Sequence, residues 1–175
     1  YAYRDFACFD ASNRRIAAGV SVWLLIDTET RRPAMVFVHG GGAHAHWWTH
    51  VAARYAKGYR VAALDLSGHG DSGRRTRYGL EGWTDEVMAV AGDAGMEGKP
   101  VVVGHSMGGF VTIATAARHP DALAGAVVCD SPISEPDPEI DAHRMGDAFG
   151  KPKVYATREE ASQRFRTVPP QDHYL

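Results

Sequence analysis

Val101-Val102-Val103-Gly104-His105-Ser106-Met107-Gly108-Gly109 joins an apolar run, a glycine-bracketed serine and a helix-like stretch from Phe110 to Arg118. Strand, tight turn and helix in that order are the setting a G-x-S-x-G nucleophile requires. A serine raised on a strained turn tolerates only small neighbours, because Cβ atoms at Gly104 and Gly108 would collide with adjacent backbone. The helix that follows aims its first N–H groups at the same spot, where they can stabilise a developing anion. Ser106 is therefore read as a nucleophile.

On either side of this stretch the chain alternates short apolar runs with helical segments. Strands are expected at Ala34 to Val38, Arg60 to Leu64, Val101 to Val103 and Leu123 to Cys129, with helices at Trp47 to Ala56, Leu80 to Ala94 and Phe110 to Arg118. Strands that are apolar throughout, rather than on alternate residues, belong to a parallel sheet covered on both faces. Before them, Tyr3 to Asp10 and Val20 to Asp27 read as an antiparallel hairpin turning at Ser12-Asn13-Arg14-Arg15. The expected fold class is α/β: a mostly parallel sheet with helices on both faces and an N-terminal antiparallel hairpin. After Cys129 the rhythm stops. Residues 131–175 hold six of the nine prolines and are read as the start of a lid, partly helical around Asp137 to Ala148 and Arg158 to Arg166. Residues 1–130 are the core.

At 175 residues the chain is long enough for one domain with a substantial core. A formal net charge of −2 without a basic block argues against nucleic acid or an anionic membrane surface as a partner. No apolar run approaches the roughly 20 residues of a membrane span. Cys8 and Cys129 fit no metal spacing and are read as free thiols of a reducing compartment, so the expected location is cytoplasmic. The chain begins at Tyr1 rather than Met, and the natural N-terminus is read as missing.

Four stretches together give the chain a resemblance to the α/β-hydrolase superfamily. They are Val36-Phe37-Val38-His39-Gly40-Gly41-Gly42, the D-x-x-G-x-G-x-S-like turn Asp65 to Ser72, the serine elbow, and Val127-Val128-Cys129-Asp130-Ser131-Pro132. The resemblance covers residues 34–135 and implies the serine-nucleophile branch. It implies acyl transfer from Ser106, with an oxyanion hole built from the Met107 N–H and one from Gly41 or Gly42. It also implies a triad in the order serine, acid, histidine. Asp130 is the candidate acid, since some members place it after the sixth strand. No histidine after Ser106 has a convincing setting: His119 ends a helix, and His143 and His173 lie in the proline-rich tail. The chain therefore resembles an incomplete α/β-hydrolase fold, stopping in the lid before the last strands. A truncated piece is the preferred reading over a natural short form.

The remaining polar residues are read as supports. His39 is expected to brace the oxyanion loop, His105 to pack within the elbow, and His69 and Asp71 to fix the turn after Asp65. His44 and His46 form an H-x-H without a third ligand, so no metal site is assigned. Trp47 and Trp48 are expected in the core or the pocket wall. The resulting expectation is a serine hydrolase of small or medium esters or related acyl substrates, working through an acyl-enzyme. It needs no cofactor, and a homo-oligomer is left open. A carbon–carbon bond hydrolase, a cofactor-free haloperoxidase-like enzyme and a non-catalytic ligand-binding relative are the alternatives. The 175-residue piece alone is expected to be inactive.

Overall fold

Val36, Val38, Ala62, Leu64 and Val102 have no exposed surface, and the apolar runs that contain them form the middle of one sheet. The computed structural model describes residues 32–96, 98–133 and 154–164 in full, and residues 14–17 and 20–25 by their backbone. Its strands are β1 (Arg14–Ala17), β2 (Val20–Leu25), β3 (Ala34–Val38), β4 (Arg60–Asp65), β5 (Val101–His105) and β6 (Gly125–Cys129). They lie in the order β1-β2-β4-β3-β5-β6. β1, β2 and β4 pair antiparallel, whereas β4, β3, β5 and β6 are parallel. The expected α/β architecture is what the chain adopts.

Because side chains alternate across a strand, each parallel strand feeds two cores. Val36, Val38, Ala62, Leu64 and Val102 pack with Val87, Val90 and Ala91 of α2 (Leu80–Asp93) and Val111 of α3 (Met107–Arg118). Met35, Phe37, Val61, Ala63 and Val103 face the other side, against Ala45, Trp48 and Ala52. These last belong to a 3-10 turn, Ala45–Trp48, and to α1 (Thr49–Tyr55). Burying a Val or Leu side chain contributes about 1.5–3 kcal/mol, so a sheet with both faces covered is the main source of stability.

Two sequence expectations need correction. Arg14 and Arg15 lie inside β1 instead of forming the hairpin turn, and Ala17 stands opposite Val20. The connection is thus shorter than four polar residues; hairpins favour such tight links. The strand expected at Tyr3 to Asp10 lies outside the described residues. α3 starts at Met107 rather than Phe110, directly after the serine. Two glycines in its first turn hide this start, since glycine is a poor helix former.

β3 is followed by β4 on one side, and the chain then crosses to β5 on the other. In parallel sheets such a reversal opens a crevice beyond the carboxyl ends of the strands. The opposite ends are fastened by backbone bonds from Arg60 N–H to the Pro33 carbonyl and from Ala124 N–H to the Pro100 carbonyl, each 2.9 Å.

The chain divides into two compact units at Pro132 and Ile133. In the second, α4 (Arg158–Arg164) begins at a Thr157-x-x-Glu160 capping pair. Thr157 Oγ1 accepts the Glu160 N–H at 3.1 Å, and Glu160 Oε2 accepts the Ala156 N–H at 3.3 Å. The helix expected around Asp137 to Ala148 lies outside the described residues.

Candidate active site

The backbone of Ser106 is held at φ +52° and ψ −117°. A non-glycine residue there costs on the order of 1–3 kcal/mol and persists only where its surroundings enforce it. The enforcement is visible. Ser106 N–H donates to the Cys129 carbonyl at 2.9 Å, while the Ser106 carbonyl accepts from Gly109 N–H at 2.9 Å and Ser131 Oγ at 2.8 Å. A Cβ on Gly104 would run into the Gly108 carbonyl and Thr112 Oγ1, and one on Gly108 into the carbonyls of Val38 and His39. The elbow glycines are therefore fixed by close approach of backbone to backbone.

The chain after β3 meets this elbow directly. A Cβ on Gly40 would stand 3.3 Å from Ser106 Cβ and 2.9 Å from His105 Nδ1. From Gly40 the backbone turns through Gly41 and Gly42, closed by Ala43 N–H to the Gly40 carbonyl at 3.2 Å, with Gly42 at φ +68°. Met107, the other expected oxyanion donor, is the first residue of α3. First-turn N–H groups have no partner within their own helix. Gly41, Gly42, Ser106 and Met107 are thus gathered at one end of β3 and β5.

Two buried side chains fix that turn. The imidazole of His39 is buried, with Nδ1 2.7 Å from the Gly40 carbonyl and Nε2 accepting the Leu66 N–H at 3.1 Å. Burial lowers its pKa from 6.5 to about 4, outweighing the opposing effect of the Gly40 hydrogen bond. His39 is a neutral brace, as its position suggested. Asp65, also buried, accepts the Ala45 N–H at 2.7 Å and the Asp71 N–H at 3.0 Å. The His69 ring packs 4.9 Å from that of His39.

A cleft of about 270 Å³ opens here, lined by Gly40, Trp47, Trp48, Val51, His105 and Cys129. Trp48 is buried against Phe37, whereas Trp47 is 61% exposed at the wall. The lining is mostly apolar, as is usual for small-molecule sites. Cys129 is a half-buried free thiol.

Asp130 sits at φ +50° directly after β6. Its carboxylate is 92% exposed and stands 3.7 Å from His105 Nε2, a surface pair with little energetic weight. His119 caps the far end of the twelve-residue α3, roughly 20 Å along the helix from Ser106 at 1.5 Å per residue. His143 and His173 lie outside the described residues. His44 and His46 stack edge to face at 5.6 Å, and among the described residues no three His, Cys, Asp or Glu side chains converge as a metal site.

Two supporting residues were not legible beforehand. Ser131 was visible only as part of the Asp130-Ser131-Pro132 ending. Glu86 is buried in α2, accepting from Ser67 N–H and Arg75 Nε at 2.9 Å each. Its signal was present: Glu86 shares a helix face with Trp83 and Val90, where a charged residue must be paired.

Residues 33–163 match the family described as alpha/beta hydrolase fold. Residues 1–38 also match the acyl-ACP thioesterase N-terminal domain, although β1, β2 and β3 join the same sheet as the rest. The chain is 31% identical over 149 residues to a pimeloyl-[acyl-carrier protein] methyl ester esterase of Methylococcus capsulatus, covering 81% of this chain and 55% of that protein. It is 33% identical over 117 residues to a monoacylglycerol lipase of Mycolicibacterium smegmatis, covering 63% of this chain and 41% of that one. A solved 2-hydroxy-6-oxo-6-phenylhexa-2,4-dienoate hydrolase from Rhodococcus superposes with a TM-score of 0.60 at 26% identity, over 78% of this chain and 53% of that one. The chain spans about half or less of the length of the curated relatives it matches.

Proposed function

Because the chain belongs to the α/β-hydrolase fold family, we propose that it is a serine hydrolase of small or medium esters or related acyl substrates. The observation that carries this is the left-handed backbone of Ser106 between β5 and α3. A binding protein has no use for a strained serine beside its cleft-lining neighbours Gly40 and His105.

In this reading Ser106 Oγ attacks the acyl carbon and its proton passes to a histidine base. Asp130 is the acid candidate, and no histidine among the described residues is assigned as the base. The tetrahedral oxygen is received by the N–H of Met107 and that of Gly41 or Gly42. Collapse expels the alcohol, which takes the proton, and water then releases the acyl group from Ser106. Removing one oxyanion donor typically costs about 2.7–4 kcal/mol of transition-state stabilisation. The likeness to the dienoate hydrolase keeps carbon–carbon bond hydrolysis as the second reading, from the same serine.

Full-length protein treated with a fluorophosphonate probe and with p-nitrophenyl acetate tests the proposal. Labelling at Ser106, lost in Ser106→Ala, is expected. An unlabelled wild type, or equal labelling of Ser106→Ala, overturns it.

A further inference from the structure

Among the described residues, Ser106 and Asp130 are the two non-glycine residues with positive φ, and the chain ties them together. β5 and β6 end in register, with His105 opposite Cys129. The next residue of each strand enters the left-handed region. Ser106 N–H then donates to the Cys129 carbonyl, and Ser131 Oγ donates to the Ser106 carbonyl at 2.8 Å. The Cys129 carbonyl is 3.4 Å from the same hydroxyl, so the bond to Ser106 is the stronger. Room for the hydroxyl exists because position 109 is glycine: a Cβ there would overlap Ser131 Oγ. Both peptide groups of the elbow serine are thus held by the end of β6, one by backbone and one by a side chain.

We infer that Ser131 is a positioning residue for Ser106. The left-handed turn at Asp130 returns the chain to the elbow, and the Ser131 hydroxyl clamps the Ser106 carbonyl so that the nucleophile keeps its strained orientation. This rests on the reading of Ser106 as the nucleophile. Ser131 touches no reacting atom; it acts through the backbone of Ser106.

The test uses full-length wild type, Ser131→Ala and Ser131→Cys, the last filling the site with a weaker donor. Thermal melts verify folding. Both variants are expected to be labelled at Ser106 by a fluorophosphonate about tenfold more slowly, the rate equivalent of one ordinary hydrogen bond. For p-nitrophenyl acetate the loss falls on kcat, with KM within twofold. Amide exchange at Ser106 and Gly109 should quicken in both variants. Wild-type rates in Ser131→Ala, with labelling still abolished by Ser106→Ala, overturn the clamp and leave the nucleophile standing. A normal rate in Ser131→Cys beside a slow Ser131→Ala would assign the effect to packing and equally overturn it. If the wild type is not labelled at all, the nucleophile reading falls. The clamp is then decided by exchange alone, with unchanged exchange overturning it.

Discussion

The Nε2 atom of His39 accepts the backbone N–H of Leu66 at 3.1 Å, which leaves the ring's one proton on Nδ1 for the Gly40 carbonyl. The end of β4 is thereby bound to the turn facing Ser106 through a group that works only while neutral. The unfolded imidazole takes a proton near pH 6.5 and the folded one near 4. Above pH 6.5 both are neutral. Between 6.5 and 4 only the unfolded chain binds the proton, so stability falls with pH, by up to about 3 kcal/mol for this group. The difference in stability between wild type and His39→Gln, followed by denaturant melts from pH 7 to 4, should shrink across this window. A constant difference would contradict the assignment.

Relieving the elbow should separate stability from chemistry. Ser106→Gly removes the cost of a side chain at φ +52° and is expected to gain about 1 kcal/mol, or about 2–4 °C in Tm for a chain of this size. It should also abolish fluorophosphonate labelling. Ser106→Ala keeps the backbone strain and should show no such gain. Calorimetry of the two variants side by side gives the answer.

The glycines divide into those with room and those without. Gly108→Ala drives a methyl into the carbonyls of Val38 and His39, and a destabilisation of about 1–3 kcal/mol is expected from such overpacking. Gly82, within α2, has nothing within 4 Å of an added Cβ. Gly82→Ala should stabilise by about 0.5–1 kcal/mol through helix propensity. Chemical denaturation would show shifts of opposite sign.

Asp65→Asn replaces one of two carboxylate oxygens that accept the N–H groups of Ala45 and Asp71. A donor then faces a donor in a buried site, at a cost of about 1–3 kcal/mol. Since the Ala45 bond anchors the segment after Gly42, kcat for p-nitrophenyl acetate should drop as well.

Much of this was legible because of burial. Val36 to Val38, Ala62 to Leu64 and Val101 to Val103 are covered on both faces, so their sequences carry no polar alternation and announce a parallel sheet. Glycines 104 and 108 were legible for a local reason, since the turn around Ser106 leaves no space. What stayed hidden acts at a distance. Ser131 reaches Ser106 across 25 residues, and Asp65 reaches Ala45 across 20. No local pattern encodes those bonds. Arg14 and Arg15 misled because a polar pair reads as a turn, yet strand pairing with Val22 and Trp23 places both in β1.

The two rims of the sheet have separate duties. His39, Asp65, Ser106 and Asp130 all follow or end strands on one side, while the Pro33–Arg60 and Pro100–Ala124 backbone bonds secure the other. A strand of five residues holds the rims roughly 16 Å apart at 3.3 Å per residue. Exposed Gly98 and Lys99, just before β5, belong to the fastened side. A surface tether or fluorophore attached there would be joined to the rim away from Ser106 and from the cleft-lining Gly40 and His105.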